Sequence, residues 1–114
     1  MNTQPQEVIL YSMSNGTCPF ELWLMSLNDR QARARIRKRL ALVRLGNLGD
    51  FKPVGQGVLE LRISYGPGYR IYFARAGSQI VLLLCGGSKK TQSKDIAMAK
   101  QYWTDFQEKA NANS

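Results

Sequence analysis

The stretch GVLELRISYGPGYRIYFAR, residues 57–75, decides how the chain is read. It holds two runs of alternating apolar and polar side chains around Gly66-Pro67-Gly68, the pattern of two half-buried strands joined by a tight turn. In residues 58–64, Leu59, Leu61 and Ile63 point to one side and Glu60 and Arg62 to the other. On the way back, Tyr69, Ile71 and Phe73 alternate with Arg70, Tyr72 and Ala74. Such a hairpin has one greasy face that must be covered and one polar face that carries Arg62, Arg70 and Tyr72.

Downstream, residues 79–85 are apolar on both faces, as expected of a strand inside a sheet, and Gly86-Gly87 releases it into SKKTQSKD. A last helix over residues 92–108 carries Ile96, Ala99, Tyr102, Trp103 and Phe106. Upstream, GNLGD (46–50) ends a helix spanning residues 29–45, with Gly46 placed for a left-handed cap, and Phe51, Lys52, Pro53, Val54 and Gly55 read as loop. In that helix Ala32, Ile36, Leu40 and Val43 recur at spacings of four, four and three, which makes one buried stripe. Its other faces hold Arg30, Arg33, Arg35, Arg37, Lys38, Arg39 and Arg44 with no acid among them. A short greasy helix precedes it, capped by Thr17 with Pro19 in its first turn, and a strand covers residues 7–12. The pattern predicts an α+β domain over residues 1–110 with a disordered tail at 111–114. A mainly antiparallel four-stranded sheet would carry an N-terminal helical hairpin on one face, leaving the other as an open floor, with a C-terminal helix.

The 114 residues include 16 basic and 8 acidic ones, a formal charge of +8, so a polyanion is the natural partner. The longest apolar run, residues 80–85, is too short to span a bilayer, and the N-terminus does not read as a signal peptide, which predicts a cytoplasmic protein. There is no histidine, which removes the commonest general base and the usual zinc ligand. Cys18 and Cys85 lie far apart and read as buried thiols. GGSKKT lacks the glycines of a nucleotide-triphosphate loop. The uncompensated charge of the long helix, with Arg33, Arg37 and Arg44, and Lys94 beyond the last strand, suits sequence-blind contacts to RNA phosphates. Trp23, Trp103 and Phe106 read as core or partner-facing rather than base-stacking.

Three segments, FELWLMSLNDRQARARIRKRL, GNLGDFKPVGQGVLELRISYGPGYRIYFAR and LLLCGGSKKTQSKDIAMAKQYW, in that order and spacing, carry a resemblance over most of the chain. It resembles the RelE-like toxins of bacterial toxin–antitoxin modules, in the HigB-like branch of addiction-module killer proteins. The resemblance implies a small ribosome-dependent endoribonuclease that cuts messenger RNA without a cofactor, held inactive by a protein antitoxin with a helix-turn-helix. It places the family's first hairpin arginine on Arg62, its Gly-Tyr-Arg element on Gly68, Tyr69 and Arg70, its basic residue after the last strand on Lys89 or Lys90, and an RNA-contacting lysine on Lys52. The tyrosine that some members carry early in the last helix would fall near Ile96, so Tyr72 is the substitute.

Metal-free cleavage needs the 2′-hydroxyl to lose its proton and attack the adjacent phosphorus while the 5′-oxygen leaves. Arg62 and Arg70 offer forked, permanently charged donors to the phosphate oxygens. A lysine would serve as base only if its pKa fell by ~3 units, a shift worth ~4 kcal/mol, and Lys89, Lys90 and Lys94 are clustered in sequence. Glu60 and Asp95 are the alternatives. Arg62 could also merely pair with Glu60 on the surface. Two rival functions remain at this level: a ParE-like gyrase inhibitor without catalysis, and a plain nucleic-acid-binding module.

Overall fold

In the structure, a computed structural model that describes residues 4–112, the long cationic helix forms where its apolar stripe requires. Helix α2 (Arg30–Arg44) starts at Asp29, whose side chain accepts hydrogen bonds from the backbone N–H groups of Gln31 and Ala32. It stops at Gly46, where φ is +94° and the Gly46 and Asn47 amides fold back onto the Val43 and Leu42 carbonyls. Ala32, Ile36, Leu40 and Val43 are all buried. Helix α1 (Pro19–Ser26) has Pro19 in its first turn as expected, but its N-cap is Cys18, with no side-chain cap bond. Both helices dock on one face of the sheet, α1 against the strand at residues 80–88 and α2 over those at residues 7–10 and 58–63, each in its own right rather than as a paired hairpin.

The sheet has five strands, not four. They are β1 (Glu7–Leu10), β2 (Phe51–Gly55), β3 (Val58–Ile63), β4 (Tyr69–Gly77) and β5 (Ile80–Ser88), in the order β1-β5-β4-β3-β2. β1 runs parallel to β5 and every other pair is antiparallel. The added strand is β2, read above as loop because Pro53 and Gly55 mask it. An edge position tolerates that proline, since its missing N–H is asked of no second neighbour. β5 sits between β1 and β4, inside the sheet as its double-sided apolar character demands.

A 3-10 turn (Lys89–Thr91) leads into α3 (Gln92–Ala112), which lies across the second face of the sheet. This corrects the expectation of an open floor. One apolar cluster lies under α1 and α2 and includes Phe20, Ile36, Leu61, Ile71, Phe73 and Leu83. A second lies under α3, where Ile96, Ala99, Tyr102, Trp103 and Phe106 cover Tyr11, Val58, Tyr72, Ala74, Leu82, Leu84 and Cys85. The helix reaches Ala112, two residues into the stretch read as tail; residues 113–114 lie outside the described part. Among the described residues no helix is long and apolar enough to cross a membrane.

Candidate functional site

Sheet register assembles the polar residues. On the α3 side, Lys52 pairs with Glu60 and Glu60 with Tyr72, while Arg62 stands directly opposite Arg70 and Arg70 opposite Gly87. Two adjacent rows result, one of Lys52, Glu60, Tyr72 and Cys85, the other of Arg62, Arg70 and Gly87. The alternation read from the sequence holds, but α3 and its lead-in turn close over much of this face. Glu60 and Tyr72 have no exposed surface, Arg70 is largely covered, and of these four residues on the α3 side Arg62 is the most exposed. Tyr72, expected on an open floor, therefore cannot touch a substrate. Burial, then the neighbouring Glu60 carboxylate, raise its pKa, so its hydroxyl keeps its proton.

The two arginines have different partners. Arg62 Nη2 lies 3.3 Å from the Asp50 carboxylate, an exposed pair in place of the one expected with Glu60. Arg70 Nε lies 3.7 Å from Glu60 Oε2, and its Nη1 donates to the Gly68 carbonyl at 3.3 Å. Glu60 Oε2 also accepts a hydrogen bond from Gln92 Nε2 at 2.8 Å, and Lys52 Nζ stands 4.0 Å from Glu60 Oε1. Glu60 Oε1, the Tyr72 hydroxyl and the Nε atoms of both arginines are buried with no hydrogen-bond partner among the described residues. A carboxylate so enclosed is not placed to take a proton from an RNA hydroxyl. Asp95, the other candidate base, sits over Gly87 and accepts a hydrogen bond from Thr91 Oγ1 at 2.5 Å.

Asp50, Arg62, Ile63, Ser64, Gly68, Tyr69 and Arg70 line a cleft of about 290 Å³ at the tip of the hairpin. The Lys89 amide donates to the Gly68 carbonyl at 2.8 Å, which anchors the lysine-bearing turn beside that cleft. Lys89 and Lys90 are exposed there, and Lys94 is exposed on the first turns of α3. The flank is basic too: Arg35, Lys38, Arg39 and Leu42 share a second hollow with Asp50 and Arg62. Arg39 Nη2 donates to the carbonyls of Leu48 and Asp50, which fixes the loop beneath Arg62.

The arginines singled out on α2 lie elsewhere. Arg33 donates through Nη1 to the Leu27 carbonyl, and Arg37 and Arg44 rim a groove on the far side with Leu10, Phe20 and Leu24. Arg35, Lys38 and Arg39 were missed as site neighbours; their signal was a spacing of three and four that puts them on the α2 flank turned toward the hairpin. Gln92 was missed because its partner is 32 residues away. Of the two cysteines, Cys85 is buried and Cys18 only half-buried. Trp23 packs edge-on to Tyr69, and Trp103 stacks on Phe106 at 5.9 Å.

With this geometry, residues 23–104 match the model of the family described as Phage derived protein Gp49-like (DUF891). The chain belongs to that Gp49-like family. The matched stretch takes in the second half of α1, all of α2, the four strands β2–β5 and the greater part of α3, and so the whole cleft. A relative from Haemophilus influenzae (strain ATCC 51907 / DSM 11121 / KW20 / Rd), named only "Uncharacterized protein", is 46% identical over 84 residues, covering 74% of this chain and 85% of its own.

Proposed function

We propose that this Gp49-like protein is a toxin of the RelE-like, HigB-like kind, which cleaves messenger RNA on the ribosome and so arrests translation and growth. The observation that carries the reading is the Arg62–Arg70 pair. Like charges directly opposite on neighbouring strands repel, yet here they stand across from each other at the mouth of one cleft. Asp50 and Glu60 each offset one of the two charges, and an anion in the cleft between them would meet both. An RNA phosphate fits: in the transition state of 2′-hydroxyl attack it gathers the negative charge that two forked guanidinium groups receive best. Lys89 and Lys90 at the rim supply further charge, Lys52 and Lys94 extend the phosphate track, and the Arg35–Lys38–Arg39 flank continues it along α2. No metal or cofactor is needed for this chemistry. Positioning of the message by the ribosome supplies the orientation, which alone can lower a barrier by ~7 kcal/mol. The antitoxin is assigned to the far side, where Arg37 and Arg44 rim an apolar groove, and the reaction takes place in the cytoplasm.

The test is to induce the chain in cells and map transcript 5′ ends, with Arg62→Ala in parallel. New ends confined to translated regions and lost in the variant are expected. Growth arrest with intact transcripts and accumulating double-strand DNA breaks would replace this reading by gyrase poisoning, and no growth effect would leave a binding module.

A further inference from the structure

We propose that Glu60 is the positioning residue of the site: it fixes the guanidinium of Arg70 in the cleft and ties that guanidinium to the start of α3. The inference rests on the reading of the cleft as an RNA-phosphate site and names a residue that never meets the RNA. Glu60 is the only charged residue among the fully buried ones described, with 0% exposure. A buried carboxylate persists only if its surroundings hold it, and two of its polar neighbours, Arg70 and Lys52, are candidate site residues. Arg70 Nε is 3.7 Å from Oε2, Gln92 Nε2 donates to the same oxygen, and Lys52 Nζ approaches Oε1 from the neighbouring edge strand. Tyr72, its cross-strand partner, faces it from β4.

The consequence for Arg70 is directional. Its Nη1 donates to the Gly68 carbonyl, and its Nε faces Glu60 across 3.7 Å as an ion pair without a hydrogen bond, so charge on one side and a hydrogen bond on the other bias the guanidinium before any ligand arrives. Among the described residues the Arg62 side chain is held differently, by the exposed Asp50 carboxylate alone, a contact that a phosphate can replace. Glu60 therefore makes Arg70 the fixed half of the pair and leaves Arg62 as the mobile half. Through Gln92, the seating of α3 becomes part of the same arrangement, because the residue that donates to Glu60 is the first of that helix.

The experiment is a double-mutant cycle on the purified full chain, read as affinity for a fluorescent single-stranded RNA whose 2′-hydroxyls are methylated, so that none can attack the phosphorus. Arg70→Ala is expected to weaken binding about tenfold in the wild-type background and less than twofold in Glu60→Gln, because an unheld guanidinium no longer presents its donors to the cleft. Gln92→Ala, which leaves the carboxylate in place, should reduce the Arg70→Ala effect partway. An Arg70→Ala effect equally large in all three backgrounds overturns the proposal, since loss of folded material alone would scale every affinity without coupling the two residues. Cleavage on translating ribosomes is measured beside it. If the wild type binds with this coupling but never cuts, the nuclease reading fails while the positioning role stands; if it cuts and the coupling is absent, the reverse holds.

Discussion

Gly86 and Gly87 are neighbours on β5 and look to opposite faces of the sheet, which allows stability and site geometry to be perturbed separately. A Cβ at Gly86 would run into the six-membered ring of Trp23, with Cδ2 at 2.7 Å. Trp23 cannot slide away, because Phe20 and Tyr69 hold it at ring separations of 5.7 and 6.1 Å. Overpacking of this kind costs about 1–3 kcal/mol. With an unfolding entropy of ~2.1 cal/mol/K per residue, each kcal/mol shifts the Tm of a chain of this length by roughly 4 °C. Gly86→Ala should therefore lower Tm by about 4–12 °C while the folded protein keeps its RNA affinity at 25 °C. A Cβ at Gly87 would instead displace the Asp95 carboxylate, with Cγ at 2.7 Å and Thr91 Oγ1 at 2.9 Å. Asp95 is half-buried and can rotate out toward water, so the main loss is its hydrogen bond from Thr91, about 1–2 kcal/mol. That movement lifts the start of α3, and Gln92 with it, off Glu60. Gly87→Ala should thus cost less Tm but weaken RNA binding about tenfold. Thermal melts followed by circular dichroism, together with the RNA titration, check both. Tm within 2 °C of wild type for Gly86→Ala, or equal loss of RNA affinity in the two variants, would refute the assignment of the glycines to separate layers.

Three further outcomes are expected. Asp50→Asn removes the exposed partner of Arg62; stability should change by less than ~1 kcal/mol and RNA affinity should rise about two- to fivefold, measured by the same titration. The Asp29 carboxylate is held below its usual 3.8, chiefly by the Ala32 backbone N–H and also by the Tyr65 hydroxyl. Its stabilisation is thus fully present above that value and disappears as pH falls through the lowered one. Melts from pH 7 down to pH 2 should show Asp29→Ala less stable at neutral pH, with the gap closing in acid. Burial, then the nearby Asp95, push the Cys85 thiol up to about 12, so iodoacetamide at pH 8 should leave Cys85 unmodified until denaturant is added, as peptide mass mapping would show.

The parts of the fold that were legible in the sequence are those set by local periodicity. The β3–β4 hairpin, its turn, the stripe of α2 and the capping Gly46 all follow from patterns within a few residues of one another. The alternation also placed Glu60, Arg62, Arg70 and Tyr72 on one face correctly. Whether that face is open depends on where α3 lands, a contact between segments about 30 residues apart. A hint was available: Ile96, Ala99, Tyr102, Trp103 and Phe106 form an apolar face that α1 and α2 could not cover, because the first side of the sheet was already filled. The parallel pairing of Glu7 with Ile80 left no local trace. Pro53 concealed β2, since proline is read as a breaker unless the strand is known to be an edge. For the site, the two arginines were visible as charges out of place in a hairpin. Their division into one held from beneath and one held at the surface was not, because it turns on Asp50 and Glu60 choosing partners that sequence distance does not rank.

The two outer strands of the sheet bear on how the protein behaves when it is concentrated and alone. An unpaired strand edge is a template on which another chain can add, and five strands in an open order leave two such edges. On one side, β1 is only four residues long, too brief to seed a continuous ladder. On the other, β2 carries Lys52 and Pro53 in its middle, a charge that repels a second copy and a residue that cannot donate to it. Lys52 therefore serves the chain twice, once toward the buried carboxylate and once as a guard against self-association. Its replacement by an apolar residue would leave Pro53 as the remaining guard on that edge.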